Sequence, residues 1–157
     1  MGASSLAALV ILAACGGSGG GETQVVQGRG FTFEAPAEWK LVRTPRALGA
    51  QGDPVELVQV TRLPLARAYS PKLFERVIPE LDAAAGAVAQ EVGAKVQRRT
   101  VDVLGERVRQ YDLTFEGKLE QLTFVLRDKS NFQLLCRREV DADDEPCRTL
   151  LDSFRLG

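Results

Sequence analysis

Four strand-like segments follow one another closely in the second half of the chain, and they constrain the fold more than any other feature. Only short connectors separate them, with Gly105 and Gly117 in two of these connectors. Short connectors join antiparallel neighbours, because a parallel crossover needs a dozen or more residues. The spacing therefore predicts consecutive antiparallel strands at Lys95–Val103, Arg107–Phe115, Leu119–Arg127 and Phe132–Arg138.

A long amphipathic helix is predicted before these strands. Ser70-Pro71 combines a favoured cap with a proline at the first helical position, and Gly93 is a suitable terminator. The apolar residues between them recur at helical spacing, which indicates one buried face. These residues are Phe74, Val77, Ile78, Leu81, Ala85, Val88 and Val92.

The remaining segments complete an α+β pattern in a chain of 157 residues, a length that suits one domain. Strands are predicted at Phe31–Ala35, from Trp39 and at Val55–Leu63. A last helix is predicted after Asp143, which can cap it. Its buried face would hold Cys147, Leu150, Leu151 and Phe154.

The N-terminus has the features of a targeting segment. Leu6–Ala14 reads LAALVILAA, which is far shorter than the roughly 20 residues of a membrane span but fits the core of a secretory signal. The sequence LAACG around Cys15 resembles the lipobox of bacterial lipoproteins. That resemblance implies cleavage before Cys15 and a thioether-linked diacylglycerol on its side chain. An ordinary signal peptide with a chance cysteine is the alternative.

These features divide the chain into three parts. Residues 1–14 would be a lipoprotein signal peptide. Residues 15–29 would be the lipidated cysteine and a glycine-rich tether that includes GGSGGG, and residues 30–157 would form a single domain. The expected location is the extracytoplasmic face of the cell membrane, with the membrane itself as a partner through the diacylglycerol.

Composition argues against several classes of function. The chain has no histidine, which excludes Ser-His-Asp and Cys-His catalysis and the usual zinc sites. Its formal net charge of -1 gives no electrostatic case for nucleic acid. The acidic run Asp141–Glu145 lacks the glycine and spaced glutamate of an EF-hand loop. We therefore expect no cofactor, no metal and no catalysis.

Two further cysteines, Cys136 and Cys147, form an even pair in an exported domain. The strand alternation and the helical spacing point both side chains into the same interface between helix and sheet, which makes a disulfide plausible. Two buried free thiols are the alternative.

Arginines recur on three of the four late strands, as Arg98-Arg99, Arg107 and Arg109, and Arg137-Arg138. Gathered together they could bind phosphate or carboxylate groups, including those of lipid headgroups. Scattered arginines paired with acids are the alternative. Because Arg107, Arg109 and Tyr111 alternate onto one strand face, this face is the candidate binding surface.

Motifs at both ends of the domain resemble a known family. The first is FTFEAPAEW at Phe31–Trp39; the others are FQLLC at Phe132–Cys136, then Cys147, then SFRL at Ser153–Leu156. Together they resemble the Mog/PsbP-like superfamily, and within it the LpqN-type and DcrB-type envelope lipoproteins. The resemblance implies a curved antiparallel sheet between helices, an α/β/α sandwich.

Members of that superfamily are mostly envelope binding or accessory proteins. The resemblance thus implies a non-enzymatic binding or accessory domain of unknown ligand, with an envelope protein, a lipid or a glycolipid as the expected partner. A small cell-envelope hydrolase that works without histidine and a structural spacer are the alternatives.

Overall fold

Two antiparallel sheets and two helices make up residues 21–157, the part of the chain described by the computed structural model. The predicted signal peptide and Cys15 lie outside this range. A 3-10 turn at Pro71–Leu73 leads into the first helix. The elements are β1 (Thr23–Gly28), β2 (Phe31–Pro36), β3 (Lys40–Arg43), β4 (Ala47–Gln51), β5 (Leu57–Tyr69), α1 (Phe74–Val92), β6 (Lys95–Val103), β7 (Glu106–Phe115), β8 (Lys118–Glu139), α2 (Glu145–Ser153) and β9 (Arg155–Leu156).

The larger sheet has the order β3-β4-β5-β8-β7-β6 within the described range. Every pair of neighbours in it is antiparallel. The α+β class and the antiparallel arrangement predicted from the short connectors are therefore confirmed.

Strand β8 folds back on itself in the middle of this sheet. Glu120 and Arg137 would be about 56 Å apart in a straight strand, yet their side chains form an ion pair of 2.6 Å. Asp128, with a φ of 50°, lies at the reversal. The first half of β8 pairs with β7 and the second half with β5. These halves correspond to the third and fourth strands predicted from the sequence.

The smaller sheet, β1-β2-β9, corrects the predicted start of the domain. We expected residues 15–29 to be a flexible tether, but β1 occupies Thr23–Gly28 and pairs with β2 along its length. Val26 is only 1% exposed in this strand. Burial of this valine and the ladder hydrogen bonds outweigh the entropy of a free segment, so Thr23–Gly28 is part of the folded domain.

The main core lies between the two sheets and α2. Phe31, Phe33 and Phe154 pack there against Phe132 and Leu134 of β8. Cys136 and Cys147 lie in the same core and form a disulfide, so the predicted pairing is confirmed. The bridge joins the second half of β8 to α2.

Helix α1 covers the opposite face of the larger sheet. It begins and ends close to the predicted positions, with Gly93 in the left-handed conformation at its C-terminus. Phe74 and Ala85 are buried as expected, but Val88 and Val92 are exposed, and Ala89 is buried instead. The last turns of the helix thus contact the sheet through a neighbouring stripe. Within residues 21–157 no helix is long and apolar enough to cross a membrane.

Candidate functional site

Helix α1 covers most of the predicted binding face of Arg107, Arg109 and Tyr111. Alternation does place all three on one side of β7, but Tyr111 is 0% exposed and packs edge-on against Phe124 with ring centroids 5.8 Å apart. Arg107 lies over the ring of Phe74 at 4.9 Å. Arg109 and Tyr111 therefore do not form the exposed ligand surface that we expected, because the helix covers them, whereas Arg107 at the edge of this face remains exposed.

Asp82 of α1 is the group that holds this face to the helix. Arg109 donates to its two carboxylate oxygens from Nε and Nη2, at 3.1 and 3.2 Å. The hydroxyl of Tyr111 donates to Oδ1 at 2.6 Å. These hydrogen bonds, that of Arg109 foremost, hold the pKa of Asp82 below its usual value although partial burial opposes them. Burial raises the pKa of Tyr111 and keeps its hydroxyl protonated as a donor.

We expect Asp82→Asn to lower the free energy of unfolding by about 1–3 kcal/mol at pH 7, because a charged acceptor is lost from two partners. A depressed carboxyl pKa stabilises the fold above the unfolded-state pKa, and this stabilisation is lost as the pH falls through the folded-state pKa. The difference between variant and wild type should therefore shrink below about pH 4.

Urea denaturation at a series of pH values measures this difference. Glu75→Gln is the control, since its ion pair with Arg107 joins side chains that are 70% and 62% exposed. A difference that stays constant down to pH 2 would contradict the assigned role of Asp82.

The other arginines considered from the sequence are also engaged. Arg99 pairs with Asp112 at 2.7 Å and Arg137 with Glu120 at 2.6 Å. Arg138 donates to the carbonyl oxygens of three residues that follow it, Glu139, Val140 and Ala142. The basic patch across the late strands does not form, and these arginines are instead satisfied locally.

A different group of cations surrounds a cleft of about 460 Å³ at one end of the two sheets. The cleft lies where the β1–β2 turn, the β3–β4 loop, β5 and the reversal of β8 meet. Its charged lining residues, within the described chain, are all basic: Arg29, Arg43, Arg46, Arg62 and Lys129. Among residues 21–157 none of the five lies within ion-pair distance of a carboxylate. We call this group the cationic cleft.

Arg62 has the best-defined position in the cationic cleft. Its Nε and Nη2 donate to Oγ of Ser130 at 3.2 and 3.1 Å, and its Nη1 donates to the carbonyl oxygen of Arg29 at 3.1 Å. The guanidinium also lies 5.6 Å from the ring centre of Phe132. These contacts come from two separate segments, the β1–β2 turn and β8, and they fix a side chain that would otherwise be mobile.

The loop between β3 and β4 forms a second wall with a defined backbone. Oγ1 of Thr44 accepts hydrogen bonds from the backbone N–H groups of Arg46 and Ala47, at 3.4 and 3.0 Å. The carbonyl oxygen of Arg46 accepts from the backbone N–H of Arg62 at 3.2 Å, which ties the loop to β5. Arg43 at the end of β3 and Arg46 in this loop therefore line the cleft from a fixed wall.

The opposite end of the interface between the two sheets is acidic. A smaller cleft of about 240 Å³ there is lined by Trp39 and by carboxylates that include Glu38, Glu56 and Asp143. Burial, followed by the charges of Asp53 and other acids, raises the pKa of Glu56. No three acidic, cysteine or histidine side chains in the described range are placed to hold a metal ion.

Sequence reasoning missed the cationic cleft because its side chains come from four separate segments. A weak signal was present: no acidic residue occurs between Trp39 and Gly52, which contain Arg43 and Arg46, or between Leu57 and Phe74, which contain Arg62. An arginine without a nearby acid in sequence has fewer local partners. This signal selects candidates, but it does not show that they converge.

Comparison with solved structures identifies the fold. The solution structure of cyanobacterial PsbP (CyanoP) from Synechocystis sp. PCC 6803 matches with a TM-score of 0.63 and 15% identity, over 93% of this chain and 99% of that chain. The domain has a PsbP-like fold. This bears out the fold that the sequence resemblance implied.

A crystal structure from Bacteroides thetaiotaomicron VPI-5482 matches with a TM-score of 0.60 and 10% identity, and covers 87% of this chain. The match spans only 48% of the Bacteroides chain. No protein family and no curated protein matches this sequence. At such low identity, the two structures support the fold of this domain and give no information about its site.

Proposed function

We propose that this PsbP-like domain is a non-enzymatic binding domain whose ligand site is the cationic cleft. It would be held at the extracytoplasmic face of a bacterial membrane by a diacylglycerol on Cys15. The observation that carries the proposal is the convergence of Arg29, Arg43, Arg46, Arg62 and Lys129 on one cleft that no described carboxylate lines.

The electrostatic contrast with the rest of the domain supports this assignment. The chain is close to neutral overall, with 20 basic and 21 acidic residues. Several arginines elsewhere, such as Arg99 and Arg109, have carboxylate partners. Like charges placed together repel one another and destabilise the fold, unless a ligand of opposite charge balances them. A cluster left unbalanced within the protein is therefore suited to an anionic ligand.

The chemistry of the cleft favours binding over catalysis. Arginine remains protonated at all physiological pH values, so it orients and neutralises an anion without exchanging protons with it. The hydroxyl groups of Thr44 and Ser130 accept hydrogen bonds that fix the walls. These groups can hold a ligand in one orientation, which is the task of a binding or accessory domain.

Retention on a cation-exchange matrix tests the site. We expect the full-length protein, purified in neutral detergent, to be retained through the cleft despite its near-zero net charge. Arg43→Gln/Arg46→Gln should elute at clearly lower salt, because it removes charge from the cluster. Arg67→Gln/Arg76→Gln removes the same charge from exposed positions of β5 and α1 and is the matched control. Equal elution of the two double variants would contradict the proposed site.

Membrane anchoring has its own test. We expect Cys15→Ser to abolish lipidation, so that the protein leaves the membrane fraction or accumulates as an uncleaved precursor. Ser18→Ala, three residues away in the glycine-rich segment, should be processed and anchored normally. Fractionation with mass spectrometry of the N-terminal peptide measures both variants. A Cys15→Ser protein that is cleaved and still membrane-bound would contradict the assignment of Cys15 as the anchor.

A further inference from the structure

We infer that the cationic cleft binds a phosphate group and that Arg62 is its fixed anchor. This inference rests on the proposed function, because it specifies the ligand of the same cleft.

Arg62 keeps two N–H donors for a ligand. A guanidinium has five, and three of these are directed to Ser130 and to the carbonyl oxygen of Arg29. One N–H on Nη1 and one on Nη2 then have no partner among residues 21–157. Two neighbouring nitrogens that each offer one N–H match the spacing of two oxygens on a phosphate.

Because Gly30 has no side chain, the guanidinium of Arg62 can pack closely against the turn between β1 and β2. Gly30 has a φ of +82°, and a Cβ at this position would be 2.9 Å from Nη1 of Arg62. The guanidinium therefore lies directly against the backbone of the turn. Together with the Phe132 ring on β8, this contact limits the orientations that the planar group can adopt.

The charge around Arg62 favours an anion with more than one negative charge. Arg29, Arg43, Arg46 and Lys129 are exposed and line the same cleft. Several cations without carboxylate partners gain more from a phosphate, which carries up to two charges near neutral pH, than from a single carboxylate. The cluster thus selects a ligand by its negative charge, and Arg62 selects it by the spacing of its oxygen atoms.

The cleft has room for a ligand larger than inorganic phosphate. Its volume of about 460 Å³ lies within the 300–1,000 Å³ typical of small-molecule sites. Pro45, Leu48 and Pro64 supply apolar surface beside the cations. A phosphate ester with a small organic part fits both features. Its source can be a soluble phosphate ester or the headgroup of a phospholipid.

Protection of arginines from phenylglyoxal distinguishes these two sources. The lipidated protein is reconstituted in phosphatidylcholine vesicles, and modification of individual arginines is followed by mass spectrometry. A soluble ligand predicts that glycerol 3-phosphate slows modification of Arg62, whereas a lipid ligand predicts that phosphatidic acid in the vesicles does so. Arg67 and Arg76 are internal controls and should react at an unchanged rate. Acetate at equal ionic strength should protect none of these residues.

Arg62→Lys tests the geometric part of the inference, since it keeps the charge and removes the paired donors. Titration with glycerol 3-phosphate, or with phosphatidic acid micelles if the lipid protects, should show affinity weakened about tenfold or more. Arg67→Lys is the matched control and should bind as wild type does. Ser130→Ala leaves Arg62 in place but less fixed, so it should give a smaller loss.

Absence of protection by both phosphate compounds, or equal protection by acetate, would overturn the inference. Unchanged affinity in Arg62→Lys would overturn the role of Arg62. These results differ from a failure of the proposed function, because retention on the cation exchanger and its loss in Arg43→Gln/Arg46→Gln depend on the cleft and not on phosphate.

Discussion

Tyr111→Ala is expected to lower the free energy of unfolding by about 3–5 kcal/mol, the range observed when a large buried aromatic side chain is truncated to alanine. Tyr111 is fully buried between β7 and α1, and its ring contacts Phe124. Its removal leaves a cavity that Ala85, the small residue opposite on the helix, cannot fill. It also removes the hydroxyl that donates to Asp82.

Two companion variants separate the parts of this effect. Tyr111→Phe keeps the ring and removes only the hydrogen bond to Asp82, so a loss of about 1–2 kcal/mol is expected. Arg107→Ala, on the same face of β7 but 62% exposed, should change stability by less than about 1 kcal/mol. Chemical denaturation monitored by circular dichroism measures all three. A Tyr111→Ala protein as stable as wild type would show that α1 does not pack on this face.

Removal of the disulfide by Cys136→Ala/Cys147→Ala is expected to cost roughly 2–5 kcal/mol, the usual loss for a native bridge in a small exported domain. The bond closes a loop with a sequence separation of 11 and holds α2 against the second half of β8. Helix α2 has only 9 residues, too few to be stable in isolation. It therefore depends on this bridge and on the packing of Leu150.

Wild-type protein treated with reductant should show the same loss as the double variant, since both lack the cross-link. A larger loss in the double variant than in the reduced protein would measure the packing of the two buried cysteine side chains. If the double variant and the reduced protein unfold at the same denaturant concentration as the oxidised protein, the bridge does not stabilise the domain. Mass spectrometry of non-reduced peptides should show Cys136 and Cys147 linked.

Local patterns in the sequence were sufficient for most secondary structure. The strand β6 was predicted with its observed ends, and the end of α1 followed from Gly93. Alternation along β8 and helical spacing in α2 also placed Cys136 and Cys147 in one interface. Such predictions succeed because the periods of strands and helices are properties of the local backbone.

Prediction failed where burial depended on distant residues. The glycines before Thr23–Gly28 favour a flexible tether, whereas pairing with β2 makes this segment a strand. Arg109 and Tyr111 were correctly placed on one face of β7. Alternation does not reveal what covers that face, and α1 covers it.

The sequence by itself determined the α+β class, the antiparallel strands, the disulfide pair and the resemblance to PsbP-like domains, because these depend on the order and spacing of neighbouring residues. Only the tertiary structure decided which arginines are balanced by acids and which remain available to a ligand. Arg109 and Arg62 both lie in β-strands of the larger sheet. Asp82 neutralises Arg109, whereas Arg62 lies in the cationic cleft. Coulomb energy depends on distance in space, and folding brings together charges that lie far apart along the chain.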